Sequence, residues 1–168
     1  RKTARQFAHI TLQQRKEIGA CYYGYVTEHD AQLGRLIDRV EQAGELDNTL
    51  IIFTSDHGEL LGAHGLYCKN RSAFEPIYHI PMIFAGPGIA ENHTTRARVG
   101  LQDLGPTLID IIGLNNFQTP EAQSFAPLLR DPKAHEDQYT TGYAEYFGTR
   151  YWCSQRIYWD GPWKLILN

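Results

Sequence analysis

The sequence predicts an α/β fold in which helices flank a central sheet and a small antiparallel sheet follows. Three patterns predict it. Residues 12–43 repeat apolar side chains with a helical period, residues 49–54 and 80–85 are short apolar runs, and the chain after residue 139 alternates aromatic and polar residues. A helical period followed by short strands is typical of helices packed on a sheet.

The composition is that of a folded domain. Of 168 residues, 42% are hydrophobic and 21% are charged, which argues against a disordered or fibrous chain. The net charge of −3 provides no field that attracts polyanions, so nucleic acid is not an expected partner. No apolar run is long enough to span a bilayer, and we expect no membrane span.

The first predicted element is a long amphipathic helix over residues 12–43, ended by Gly44 in a C-cap position. We expect its apolar face to pack on the sheet. That face consists of Leu12, Ile18, Tyr22, Tyr25, Val26, Leu33, Leu36, Ile37 and Val40.

Two strands follow. Residues 49–54 predict a buried strand, because β-branched and aromatic side chains form its centre, and residues 80–85 predict a second strand. A short helix over residues 72–78 is predicted between them, stopped before Pro81. A turn at residues 86–88 follows.

The remaining elements are short. Residues 103–113 predict a helix with Asp103 as N-cap, Pro106 in its first turn and Gly113 at its end. Residues 115–120 predict a loop, and residues 125–129 a single helical turn. The aromatic segments after residue 139 predict antiparallel strands of a second sheet.

The strand at residues 49–54 is followed closely by Asp56, His57 and Gly58. A carboxylate and an imidazole at a strand end are suitable metal ligands, and Gly58 would permit a tight turn that aims both at one point. Two ordinary alternatives are that Asp56 caps the turn and that His57 is a core residue with satisfied hydrogen bonds. Considered by themselves, these three residues predict half of a metal site.

Three segments carry a family resemblance: AQLGRLIDRVEQAGELDNTLIIFTSDHGELLGAHGLYCK, FEPIYHIPMIFAGPG and VGLQDLGPTLIDIIGL. Together they resemble the sulfatase and phosphonate monoester hydrolase branch of the alkaline-phosphatase-like superfamily. The resemblance implies a sandwich with a central mixed sheet, followed by a smaller antiparallel subdomain. We therefore expect residues 1–120 to be the C-terminal part of the catalytic domain and residues 121–168 to begin the subdomain.

The resemblance also implies roles for individual residues. Asp56 and His57 would bind the active-site cation, and Lys69 would contact the substrate and stabilise charge during catalysis. His64 and His79 are candidates for substrate contact or for orienting other site residues, although His64 is equally well explained as a residue that orders its loop. Glu59 and Arg71 lie near the same segments, and we expect Glu59 to support the site or face solvent.

The implied cofactors are a divalent cation and a modified nucleophile. Sulfatases of this family usually hold Ca²⁺, whereas a histidine ligand also suits Mn²⁺ or Zn²⁺, and Mg²⁺ stays open. The family's nucleophile is a formylglycine made from Cys or Ser in a C/S-x-P-x-R motif. No such motif begins at Cys21, Cys68, Cys153 or any serine of this chain.

We therefore expect the chain to be the C-terminal part of a hydrolase that cleaves sulfate esters, inactive by itself. Its substrate would be a small-molecule or glycan sulfate ester. One alternative is a phosphonate or phosphate ester hydrolase on the same scaffold, and another is a non-catalytic module. The resemblance is compatible with a periplasmic, secreted or lysosomal location, and a cytoplasmic one stays open.

Overall fold

The computed structural model describes residues 7–69, 73–114, 120–148 and 153–168. The chain divides into two compact units, Arg1–Pro87 and Gly88–Asn168. The predicted domain boundary at residue 120 stays a prediction. Arg71, the start of the predicted helix at residue 72, the loop at 115–119 and the aromatic residues Tyr151 and Trp152 lie outside the described residues.

The first unit begins with helix α1, Leu12–Gln42, close to the predicted 12–43. A capping box starts it, because the Thr11 hydroxyl accepts from the Gln14 N–H and the Gln14 side chain accepts from the Thr11 N–H. Gly44, with a φ of 73°, follows the C-cap as predicted.

The prediction that α1 packs its apolar face on the sheet is wrong for this chain. No residue of the helix is buried, and Leu12 and Tyr25 are about 70% exposed. At 1.5 Å per residue, 31 residues extend about 46 Å, far more than two strands of four residues could cover. None of the described helices is both long enough and apolar enough to cross a membrane.

The sheet of this unit consists of β1, Ile51–Thr54, and β2, Met82–Ala85, which pair antiparallel with Ile51 opposite Ala85 and Thr54 opposite Met82. No residue of either strand is buried, contrary to the prediction of a buried strand at residues 49–54. Phe53 and Ile83 are register partners and are 41% and 57% exposed. Among the described elements these two strands contact mainly each other, and two strands alone bury little surface, which explains the exposure.

The segment between the strands forms the core of the first unit. A 3₁₀ turn, Ala63–Gly65, and helix α2, Glu75–Tyr78, lie in it. Leu60, Leu66 and Ile77 are buried together, and partly buried apolar side chains surround them: Phe7, Ala63, Phe74 and Tyr78. The loop after β1 is therefore anchored on α2 by apolar packing.

The second unit begins with α3, Leu104–Ile111, as predicted, and continues with α4, Ala126–Arg130, and α5, Pro132–His135. Helix α5 was not predicted. Thr107 is fully buried; its hydroxyl donates to the Asp103 carbonyl at 2.6 Å and accepts from the Phe125 N–H at 3.0 Å. Phe125 is 1% exposed, so this contact joins α3 to the start of α4.

The predicted second sheet is confirmed. Strands β3, Thr141–Phe147, β4, Ser154–Asp160, and β5, Trp163–Leu167, pair antiparallel in that order. Ile157 on the central strand is fully buried opposite Ala144 and Ile166. On β3 and β4 the alternating pattern of the sequence corresponds to one more buried and one exposed face, whereas β5 is largely exposed.

Candidate active site

The loop that follows β1 carries the predicted site, and two hydrogen bonds hold its backbone in place. The Ser55 hydroxyl donates to the His57 carbonyl at 2.8 Å, and the Gly58 N–H donates to the Ile77 carbonyl at 2.8 Å. These two bonds engage the C=O and the N–H of the same peptide group, between His57 and Gly58, and so fix the backbone immediately after His57. Ser55 was not singled out in the sequence, because a hydroxyl that ends a strand has no distinctive pattern.

Gly58 is required for a reason other than the predicted one. Its φ does not lie in the left-handed region, so the turn by itself does not need glycine. A Cβ placed on Gly58, however, would lie 1.9 Å from the Pro76 carbonyl oxygen. The absence of a side chain lets the loop approach α2 closely enough to form the bond to Ile77.

The His57 ring is oriented by two contacts that require the same tautomer. Nδ1 lies 2.9 Å from the Gly58 carbonyl oxygen, which only accepts, so Nδ1 carries the proton. Nε2 lies 3.1 Å from Lys69 Nζ, and an ammonium group only donates, so Nε2 accepts. With Nδ1 protonated, the ring has a single lone pair, on Nε2, which serves either the Lys69 ammonium or a metal ligand position.

The Asp56 carboxylate lies beside that lone pair. Its Oδ1 accepts from the His57 N–H at 3.0 Å, and its Oδ2 lies 3.5 Å from His57 Nε2, too far for a hydrogen bond of ordinary strength. The Asp56 side chain is 81% exposed and that of His57 is 37% exposed. Both acceptor atoms are therefore close together and open to solvent.

The donor set fits part of a cation site. Ligands at right angles on a divalent cation, with bonds of about 2.1–2.5 Å, lie about 3.0–3.5 Å apart, and the separation of Asp56 Oδ2 and His57 Nε2 is 3.5 Å. Within the described ranges no group of three or more His, Cys, Asp or Glu side chains is placed to hold a metal. Asp56 and His57 thus fit as two ligands of a larger set.

Lys69 is exposed and reaches the same point from twelve residues farther along the chain. The structure therefore brings the three residues singled out for catalysis and metal binding together. Their side chains combine two acceptor atoms with a cationic donor. Such a cluster suits the binding of a cation together with an anionic group.

The two remaining candidate residues, His64 and His79, do not join this cluster. The His64 ring stacks on Phe74, with centroids 3.8 Å apart and planes 14° from parallel, which favours the ordering role for this residue. His79 is exposed at the C-cap of α2 and donates its N–H to the Glu75 carbonyl at 2.8 Å. The contacts of the described residues join neither ring to Asp56 or His57. Substrate contact by His64 or His79 stays a prediction.

Comparison with known proteins gives a consistent result. A family model described as Sulfatase matches residues 2–114. Arylsulfatase K of Bos taurus is 33% identical over 162 residues, and arylsulfatase K of Danio rerio is 31% identical over 160 residues. Each alignment covers 94% of this chain and 30% of the relative, so the chain spans about a third of the length of these curated relatives.

Solved structures resemble the chain as well. The phosphonate monoester hydrolase of Silicibacter pomeroyi superposes with a TM-score of 0.83 at 28% identity, covering 94% of this chain and 34% of that one. The phosphonate monoester hydrolase of Agrobacterium radiobacter gives 0.81 at 26% identity, covering 95% and 34%. A sulfatase that acts on the 2-O position of glycosaminoglycans gives 0.82 at 24% identity, a likeness of fold alone. The predicted alkaline-phosphatase-like α/β fold is thereby confirmed.

Proposed function

The chain belongs to the sulfatase family, and we propose that it forms the C-terminal part of the active site of an enzyme that hydrolyses sulfate esters. The observation that carries this proposal is the convergence of Asp56, His57 and Lys69, with 3.1 Å and 3.5 Å between the atoms that meet at His57 Nε2. The arylsulfatase K relatives support sulfate esters as the substrate class. Small-molecule and glycan sulfate esters both belong to that class.

Asp56 and His57 would hold a divalent cation, for which we propose Ca²⁺, with Mn²⁺, Mg²⁺ and Zn²⁺ as the alternatives. When bound, such a cation acts as a Lewis acid toward the sulfate oxygens and the nucleophile. Asp56 contributes a hard, negatively charged oxygen. His57 contributes a nitrogen whose direction is set by the Gly58 carbonyl at 2.9 Å.

Lys69 would hold the anionic part of the substrate. His57 Nε2 has one lone pair, so a cation bound there would take the place of the Lys69 hydrogen bond, and the three ammonium hydrogens would then be available to ester oxygens. As the S–O bond breaks, negative charge grows on the leaving oxygen. A fixed ammonium stabilises that charge more in the transition state than in the ground state.

The nucleophile would come from outside these 168 residues. The family resemblance assigns it to a formylglycine, and none of the three cysteines or the serines of this chain stands in the required motif. We therefore propose that the chain alone does not turn over substrate.

A second candidate is the hydrolysis of phosphonate monoesters. It is supported by the structural likeness to two phosphonate monoester hydrolases, with TM-scores of 0.83 and 0.81. Phosphonate and sulfate monoesters both present anionic tetrahedral groups, which the ammonium of Lys69 would hold in the same way.

The test is an assay of the full-length gene product, with maturation of its nucleophile enabled, against a chromogenic aryl sulfate and an aryl phosphonate monoester. Asp56→Ala is the test variant, and Asp38→Ala on the exposed helix α1 is the control. Sulfate turnover lost only in Asp56→Ala would support the proposal. Turnover of the phosphonate alone would favour the second candidate, and no turnover of either would favour a non-catalytic module.

A further inference from the structure

The loop that leads from the site to Lys69 is closed by one carboxylate. Glu59 Oε1 accepts from the Leu61 N–H at 3.0 Å and from the Cys68 N–H at 2.6 Å. One oxygen atom thus joins the beginning and the end of the loop. Hydrogen bonds to an ionised carboxylate are stronger than bonds between neutral groups.

The backbone of this loop adopts conformations that its residues ordinarily avoid. Leu61, His64 and Cys68 have φ values of 44°, 56° and 61°, in the left-handed region that disfavours residues with a side chain. Such conformations persist only where surrounding contacts impose them. At Leu61 and Cys68 the contact is the bond to Glu59, since these are the two residues whose N–H groups it accepts.

The inner part of the loop is held by other means. Gly62 N–H donates to the Leu66 carbonyl at 2.8 Å, Ala63 N–H donates to the Leu60 carbonyl at 2.7 Å, and Leu60 and Leu66 are buried. These contacts end at Leu66, which is three residues before Lys69. Among the backbone hydrogen bonds of the described residues, the bond from Cys68 N–H to Glu59 is therefore the one closest to Lys69 in sequence.

We propose that Glu59 is a positioning residue for Lys69. By fixing the Cys68 peptide, the carboxylate sets the direction in which the chain presents the next residue, whose Nζ then meets His57 Nε2. Glu59 also follows Asp56-His57-Gly58 directly, so one short segment carries both proposed cation ligands and the group that places the ammonium. This inference rests on the function proposed for Lys69.

A different explanation is that Glu59 acts through its negative charge, and two substitutions separate the explanations. Glu59→Asp keeps the charge but is shorter by one methylene, so it cannot span the same two N–H groups. Glu59→Gln removes the charge but keeps an acceptor oxygen at the same distance. If Glu59 acts by positioning, Glu59→Asp should lower kcat more than Glu59→Gln does. If it acts through its charge, Glu59→Gln should lower kcat more.

The experiment measures kcat and KM of the full-length protein on an aryl sulfate for both variants. We expect Glu59→Asp to lower kcat about tenfold or more, and Glu59→Gln to retain several times the kcat of Glu59→Asp. Glu91→Gln, on an exposed carboxylate after β2, is the matched control. The melting temperature of each variant shows whether a loss of kcat comes from unfolding. If Glu59→Asp does not fold, the kcat of Glu59→Gln is compared with that of wild type instead.

A double-substitution cycle with Lys69→Ala tests whether Glu59 acts through Lys69. If it does, Glu59→Asp causes little further loss of kcat in the Lys69→Ala background, because the group it places is already gone. Equal losses in both backgrounds, or a smaller loss from Glu59→Asp than from Glu59→Gln, would overturn the inference. If Lys69→Ala itself leaves kcat unchanged, the function proposed for Lys69 fails, and the inference fails with it. If Lys69→Ala lowers kcat and Glu59→Asp does not, only the inference fails.

Discussion

Lys69 Nζ lies 3.1 Å from His57 Nε2, although twelve residues separate the two in sequence. The contact is formed by a loop with left-handed residues at Leu61, His64 and Cys68. It places the Lys69 side-chain nitrogen at the one lone pair of His57 that a metal would use. We therefore propose that the candidate site binds a cation together with an anion rather than a metal alone.

Replacement of Lys69 by alanine should abolish most catalysis without unfolding the protein. Loss of one donor that stabilises transition-state charge costs about 10²-fold or more in kcat, and Lys69 is exposed, so the melting temperature should be unchanged. Turnover of an aryl sulfate by the full-length protein is the measurement, with Lys133→Ala on the exposed surface of α5 as control. Equal kcat for the two variants would rule out the role.

Replacement of Asp56 by alanine should weaken binding of a divalent cation. Asp56 provides the charged oxygen of the proposed pair of ligands, and we expect an affinity for Ca²⁺ or Mn²⁺ lower by about tenfold or more. Isothermal titration of the full-length protein measures it. Asp38→Ala, which removes an exposed carboxylate from α1, should bind as tightly as wild type. A Kd unaffected by Asp56→Ala would contradict the assignment.

A methyl group at Gly58 should destabilise the first unit. The added Cβ would lie 1.9 Å from the Pro76 carbonyl oxygen, and we expect a loss of about 3 kcal/mol in the free energy of unfolding. Gly34→Ala is the matched control, because Gly34 lies inside α1 and a Cβ added there would have no contact within 4 Å. That substitution should raise the stability by up to about 1 kcal/mol. Urea unfolding that ranks the two variants in the opposite order would disprove the steric argument.

Glu136 should make stability depend on pH in acid. The Arg96 N–H and the Thr95 hydroxyl donate to its carboxylate and hold the pKa of Glu136 below its ordinary value of 4.5. Because the folded state favours the ionised form, this contribution is present above pH 4.5 and is lost as the pH falls through the lowered pKa.

The measurement compares wild type with Glu136→Gln in urea unfolding between pH 3 and pH 7. The two free energies of unfolding should differ most near neutral pH and converge in acid. If the difference between the two free energies of unfolding stays constant over this pH range, ionisation of Glu136 does not contribute to stability. Glu91→Gln, with its exposed side chain, is the control.

The secondary structure was largely predictable because it depends on local patterns. The helix at Leu12–Gln42, the strand ending before Asp56 and the antiparallel strands after residue 139 all follow from apolar periodicity and from capping residues. The burial of these elements was not predictable in the same way. Helix α1 and strands β1 and β2 have the apolar pattern of core elements, yet none of their residues is buried.

The sequence by itself determined the family, the fold class and the residue types of the candidate site, because these follow from motifs that are contiguous in the chain. Only the tertiary structure decided how the site is built. It decided that Lys69 meets His57, that Gly58 is needed for its approach to Pro76, and that Glu59 joins the ends of the loop. The physical reason is that these contacts cross a loop whose left-handed residues no propensity predicts, so their distances depend on packing rather than on spacing in the sequence.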